Sequence, residues 1–173
     1  MENSPQEGKK MQMLRNVVTW LFIIAVGVPS LIGLTKKVWQ WTHPGHTQNV
    51  AITYLQQIGP LAEKTGVILN EMAPLFQNAA NTPKEKLVAK VIQSREQLME
   101  VNKEALAISP PQEMQQINRQ FLDSLDNYVK AFQLAERGIQ NDSDAEINQS
   151  AELLIKGSNQ MKSVSEESLK MAE

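Results

Sequence analysis

The sequence predicts an all-α protein: one N-terminal transmembrane helix followed by an antiparallel up-down four-helix bundle. Three observations carry this. Asn16 to Thr35 is a run of twenty residues with no ionisable side chain. Beyond Thr47 apolar residues recur at spacings of three and four, and no strand-like alternation occurs. The breaks between the periodic segments are short, so successive helices must reverse direction.

The uncharged run covers roughly 30 Å as a helix, the thickness of a bilayer core. Trp20, Phe22, Ile23, Ile24, Leu31 and Ile32 supply its bulk, and Pro29 removes one helical hydrogen bond, which predicts a mild kink. Lys36 and Lys37 follow it, and Trp20, Trp39 and Trp41 suit the headgroup level. Residues 1–14 read as a disordered tail, 15–42 as the anchor and its interfacial flanks, and 43–46 (His-Pro-Gly-His) as a joint. Lys9, Lys10 and Arg15 precede the run and only Lys36 and Lys37 follow it, which favours a cytoplasmic N-terminus with the bundle outside. Three other readings stay open: a leader cleaved near Ala25-Val26-Gly27, a buried core helix, and the reverse orientation with a cytoplasm-facing bundle.

Charge is unevenly divided. Before Thr42 there are five basic and two acidic residues; after it there are twelve basic and seventeen acidic, a balance of −5. An acidic domain is repelled by nucleic acid, so no nucleic-acid partner is expected. Cysteine is absent. That excludes disulfides, thiolate metal sites and a lipid-modified cysteine, and leaves the helix as the expected means of attachment. The expected partners are the lipid bilayer and a protein, either a second copy or another chain.

The first bundle helix is expected over 47–80, with Ala51, Leu55, Ile58, Ala62, Leu69, Met72 and Phe76 as its seam and Thr65 filling one step. Pro60 and Pro74 fall off the seam, on the water side; a split near Gly59-Pro60 is the alternative. The second helix is expected over 83–108, with Thr82 as hydroxyl cap, Pro83 at the first position and Glu85 at the third. Its seam is Leu87, Val91, Ser94, Leu98, Val101, Ala105 and Ile108. The third helix, over 111–140, follows Ser109-Pro110-Pro111 and is lined by Met114, Phe121, Leu125, Tyr128, Phe132, Ala135 and Ile139. A turn at Asn141–Asp144 opens the fourth helix, 144–172, with Ser143 and Glu146 as a capping box. Ile147, Ala151, Leu154, Met161, Val164 and Met171 form its seam, with Ser158 and Ser168 at two steps. This seam is the least apolar, so the C-terminal end is expected to pack most loosely.

The chain carries little that points to catalysis. His43 and His46 are its only histidines, so the bundle has neither a Glu-x-x-His metal pair nor a base for a serine nucleophile. No phosphate-binding loop or nucleophile elbow occurs. No enzyme, metal or cofactor is expected. Ser94, Arg95 and Ser158 could together line a ligand cavity, with Arg95 recognising an anion. Against this, serines on a seam are commonly small fillers, and an arginine beside a seam is commonly solvated.

The stretch Ile108-Ser109-Pro110-Pro111-Gln112-Glu113, leading into Phe121-Leu122, Leu125, Tyr128 and Ala131 and then an Asp turn, resembles extracytoplasmic helical domains of bacterial lipoproteins and membrane-anchored proteins of unknown function. The resemblance covers about the last two-fifths of the chain and departs from the lipoproteins in lacking their attachment cysteine. The arrangement is also similar to the four-helix sensor domain of bacterial chemoreceptors, though no second span or signalling module is expected here. An anchored bundle with no chemistry and no second span is expected to act as an interaction, scaffold or accessory subunit of a bacterial envelope complex, or alternatively as a small-ligand-binding module with its site near Ser94 and Ser158.

Overall fold

A computed structural model describes residues 50–170; the expected tail, membrane span and joint, the first three residues of the expected first bundle helix and the seam residue Met171 lie outside the described residues. Within them the chain forms four helices: α1 (Val50–Gln77), α2 (Lys84–Leu106), α3 (Gln115–Gln140) and α4 (Asp144–Lys170). Short 3-10 turns at Ala79–Asn81 and Gln112–Met114 precede α2 and α3. The described residues contain no strand, and no described helix is long and apolar enough to cross a membrane.

Side-chain pairs fix the direction of each helix. Lys64 meets Glu104 at 2.7 Å and Glu71 meets Lys90 at 2.9 Å, so α1 and α2 run antiparallel. Arg95 of α2 pairs with Glu136 of α3, and Gln120 of α3 reaches Glu167 of α4 at 3.3 Å. The start of α1, the α2–α3 loop and the end of α4 therefore share one end of the bundle. Lys84 and Asp142, 2.9 Å apart, tie the opposite end. Close backbone contact is most extensive between α3 and α4, less between α2 and α3, and least between α1 and α2. α1 also meets the Gln112–Met114 turn, while α1 and α4 hardly approach each other along the backbone.

The expected seams of α1, α2 and α3 form the core. Met72, Val91, Leu98, Val101, Phe121 and Leu125 are fully buried. α1 runs unbroken through both prolines, which stand exposed on its outer side, so the helix is not split at Gly59-Pro60. Each proline costs a hydrogen bond, and burial of Leu55, Ile58, Leu69 and Met72 on the other face offsets it.

Three local expectations are corrected. Thr82 does not cap α2: its hydroxyl turns back to the carbonyl of Asn78 at 2.8 Å. Pro83, extended at ψ 136°, stands as the cap residue instead, without a side-chain bond, and Leu87 N–H donates to its carbonyl. The Ser143 cap forms only in half: Glu146 N–H donates to its hydroxyl at a long 3.4 Å, while the Glu146 carboxylate goes to Arg137 at 3.1 Å. The third correction concerns α4, which is seated most closely rather than most loosely. Its seam steps through Gly157, not Ser158, and Gly157 is buried while Ser158 is only half-buried.

The turn joining α3 to α4 explains how two helices can lie so close. Ser143 N–H donates to the carbonyl of Gly138 at 2.8 Å, and Asp142 takes φ 52°. This is a Schellman closure, in which a left-handed residue lets the chain reverse at once.

Candidate functional site

The polar groups held inside or at the edge of the core are where any chemistry would sit. Most are committed to bonds within the bundle. Thr65, fully buried, returns its hydroxyl to the Leu61 carbonyl at 2.8 Å, as a buried helical hydroxyl does. Tyr54 of α1 donates to Asn118 Oδ1 of α3 at 2.8 Å. Between α3 and α4 the bonds form a ladder. Ser124 donates to the Gly157 carbonyl at 2.7 Å, Asn127 to Gln160 Oε1 at 2.6 Å, and Ser150 to the Ala131 carbonyl at 2.6 Å.

These hydroxyl-to-carbonyl bonds need helix axes closer than bulky side chains permit. The glycines provide the room. A Cβ on Gly157 would lie 2.9 Å from Tyr128 Cε1 and 3.2 Å from the Ser124 carbonyl oxygen. One on Gly138 would lie 2.8 Å from Ile147 Cδ1 and 3.0 Å from the Ile147 backbone nitrogen.

The three residues expected to line a cavity divide. Ser94 is fully buried, and its hydroxyl has no partner among the described residues. Arg95, next to it, is partly exposed and paired with Glu136 across α2 and α3. Ser158 stands by the hydroxyl of Tyr128. On α3 the partners of Arg95 and Ser158 are eight residues apart, roughly 12 Å along a helix, so Arg95 and Ser158 sit at different levels. Ser168 near the end of α4 is a second buried hydroxyl without a partner. Sequence reasoning missed Ser124, Ser150 and Gly157, whose small size carries the α3–α4 contact.

Burial raises the Tyr128 phenol well above its ordinary value of 10.0, and the Ser124 and Ser158 hydroxyls beside it pull back only part of that. Tyr54 is raised by burial as well. Both therefore stay neutral hydrogen-bonding groups far into the alkaline range. No cluster of three His, Cys, Asp or Glu side chains able to hold a metal occurs among the described residues.

Each end of the bundle carries both charged and uncharged stretches: residues 72–83, at the Lys84–Asp142 end, have no ionisable side chain, and Glu113, Glu167 and Lys170 stand at the other end. At the Lys84–Asp142 end, Arg137, Asp142, Asp144 and Glu146 gather within one turn. At the other end the chain from Ala105 to Gln112 has no ionisable residue, and Leu106 is 65% exposed. Val50, at the same end, is 60% exposed.

Helices seated in chain order, with their interior polar groups joined mainly to one another, define an all-α domain of four helices. Residues 52–163 match the model of the Domain of unknown function (DUF7018), and the chain belongs to that family. No curated protein matches the chain, and no solved structure does.

Proposed function

We propose that the chain is a membrane-anchored, non-enzymatic helical protein of the bacterial cell envelope, acting there as an interaction, scaffold or accessory subunit. The observation that carries this is the uncharged run Asn16–Thr35, placed fourteen residues before the first helix of the bundle, which begins at Val50. The basic residues Lys9, Lys10 and Arg15 before that run favour a cytoplasmic N-terminus and an extracytoplasmic bundle. A bundle whose interior polar groups are mostly paired internally offers partners its surface rather than a pocket. The lipoprotein-like stretch from Ile108 onward agrees with an envelope setting.

Two measurements test the reading. A reporter fused after Glu173 should be active only on the extracytoplasmic side. The full-length chain, purified in mild detergent, should bring a partner or a second copy with it. A monomer without a partner would overturn the scaffold role, and an active cytoplasmic reporter would give the reverse topology.

A second reading, a small-ligand module, draws on the buried hydroxyl of Ser94. Thermal shift against small anions and metabolites tests it; no shift under any condition removes it.

A further inference from the structure

α1 is interrupted at one point without being broken. Gly59 lies inside the helix, and a Cβ placed on it would meet nothing within 4 Å. A glycine in mid-helix weakens the helix relative to alanine, and at this position no close approach compensates. The residue that follows gives the reason. Pro60 has no N–H for the Gln56 carbonyl, and a proline ring crowds the Cβ of the residue before it. Glycine at 59 removes that clash, so α1 continues through the proline with one rung of its ladder missing.

The missing rung falls where α2 stops. Lys64 meets Glu104, two residues before the end of α2 at Leu106; two residues back from Lys64, that end lies beside Ala62. Glu71 meets Lys90, sixteen residues before Leu106; sixteen back from Glu71, the same end lies beside Leu55. Gly59-Pro60 stands between these limits. Val50–Ile58 therefore reaches past α2. It is held through the Tyr54 hydroxyl, which donates to Asn118 Oδ1 of α3 at 2.8 Å, and through the burial of Ala51, Leu55 and Ile58. It contains no charged residue, so no ion pair fastens it. Beyond Pro60, both ion pairs to α2 and the buried Leu61, Ile68, Leu69, Met72 and Phe76 hold the remainder.

From these observations we infer that Val50–Gly59 is a releasable strap, a part of α1 that leaves the bundle by unwinding while the helix beyond Pro60 stays docked. Unwinding is the route because Pro60 stands exposed on the outer side of α1. Bending the strap rigidly toward water would drive the proline ring into the Gln56 carbonyl. As helix its ten residues span about 15 Å, and fully extended they reach about 33 Å. The strap is stored length: its release lets the bundle stand up to about 18 Å further from whatever holds the chain before Val50. This applies to any attachment on the N-terminal side and does not require Asn16–Thr35 to span a membrane.

Amide hydrogen exchange of the full-length chain in mild detergent, read residue by residue at low denaturant, tests this. The amides of Tyr54–Ile58, whose helical bonds lie within the strap, should open together and exchange about tenfold faster or more than those of Ile68–Met72. Tyr54→Phe, which removes the bond to Asn118, should speed the first set about threefold or more and leave the second unchanged. Gly59→Ala combined with Pro60→Ala restores the missing rung and should shrink the step between the two sets. Protection that climbs evenly from Tyr54 to Met72 is ordinary end fraying and overturns the strap. A single opening shared by both sets overturns it too, as does an equal acceleration of both by Tyr54→Phe. A step unchanged in the double variant overturns the role given to Gly59-Pro60.

Discussion

The hydroxyl of Ser124 on α3 donates to the backbone carbonyl of Gly157 on α4 at 2.7 Å. A side chain two atoms long spans the gap between two helices because one of them has no side chain there. Replacing Gly157 by alanine should raise helix propensity by about 1 kcal/mol. It should nevertheless destabilise the bundle, because the new methyl meets the Tyr128 ring and the Ser124 carbonyl oxygen. We expect a net loss of about 1–3 kcal/mol by chemical denaturation, the usual cost of overpacking. A stabilised Gly157→Ala variant would mean that the helices are not held this close.

The Ser94 hydroxyl is buried without a partner. Removing it should cost nothing, and Ser94→Ala should be neutral or more stable by up to about 1 kcal/mol. Ser150→Ala, which breaks the bond to the Ala131 carbonyl, should instead lose about 1 kcal/mol. A Ser94→Ala variant less stable than Ser150→Ala would reveal a bond that Ser94 makes in solution and thereby strengthen the ligand-module reading.

Arg95 and Glu136 join α2 to α3 with both side chains mostly covered, 24% and 16% exposed. A double-mutant cycle with Arg95→Ala and Glu136→Ala should give a coupling of about 1–2 kcal/mol, above the value for exposed pairs. The exposed pair Lys64–Glu104, treated in the same way, should give less than about 1 kcal/mol.

Both tyrosines of the chain, Tyr54 and Tyr128, have phenols raised above 10.0 by burial. A raised folded value means that this contribution to stability is fully present below pH 10, the unfolded value. It is lost as pH climbs from there toward the folded value, because only the unfolded chain releases the protons readily. Stability should therefore fall above pH 10 by about 1.4 kcal/mol per pH unit for each tyrosine. Absorbance at 295 nm should show phenolate appearing with unfolding rather than before it. Tyr128→Phe should flatten the pH slope by about half. A phenolate signal preceding the loss of helix would contradict the burial of these groups.

Asp142 adopts φ 52°, where a β-carbon is costly. Comparing Asp142→Gly with Asp142→Ala isolates that cost, since both lose the ion pair to Lys84. The glycine variant should be more stable than the alanine variant by about 1 kcal/mol in thermal melts.

Apolar periodicity was enough to read three of the four seams. Leu87, Val91 and Leu98, or Phe121, Leu125 and Phe132, announce a buried face through their bulk. The α3–α4 contact was written in a quieter code. Ser124, Ala131 and Gly138 recur every seven residues on α3, and Ser150 and Gly157 share that spacing on α4. Read for hydrophobicity these positions look like gaps, and a seam of gaps suggests loose packing. Read for size they mark where two backbones can meet. The Thr82 cap failed for a different reason: its hydroxyl had a competing acceptor in the preceding turn, the Asn78 carbonyl, which spacing does not display. In the candidate site, Arg95 was recognisable as a charged group beside the seam. Its partner, forty-one residues away, was not.

The order of helix seating, closest for α3–α4 and slightest for α1–α2, has a mechanical meaning for a chain held from its N-terminal side. On the anchored reading, a pull along the tether would arrive at α1, the helix with the least backbone contact to its neighbour. α1 would peel away while the α3–α4 hairpin, interlocked through backbone carbonyls, keeps its shape. The bundle is thus graded like a fastening that gives first at the end under load and preserves the far end to reclose upon.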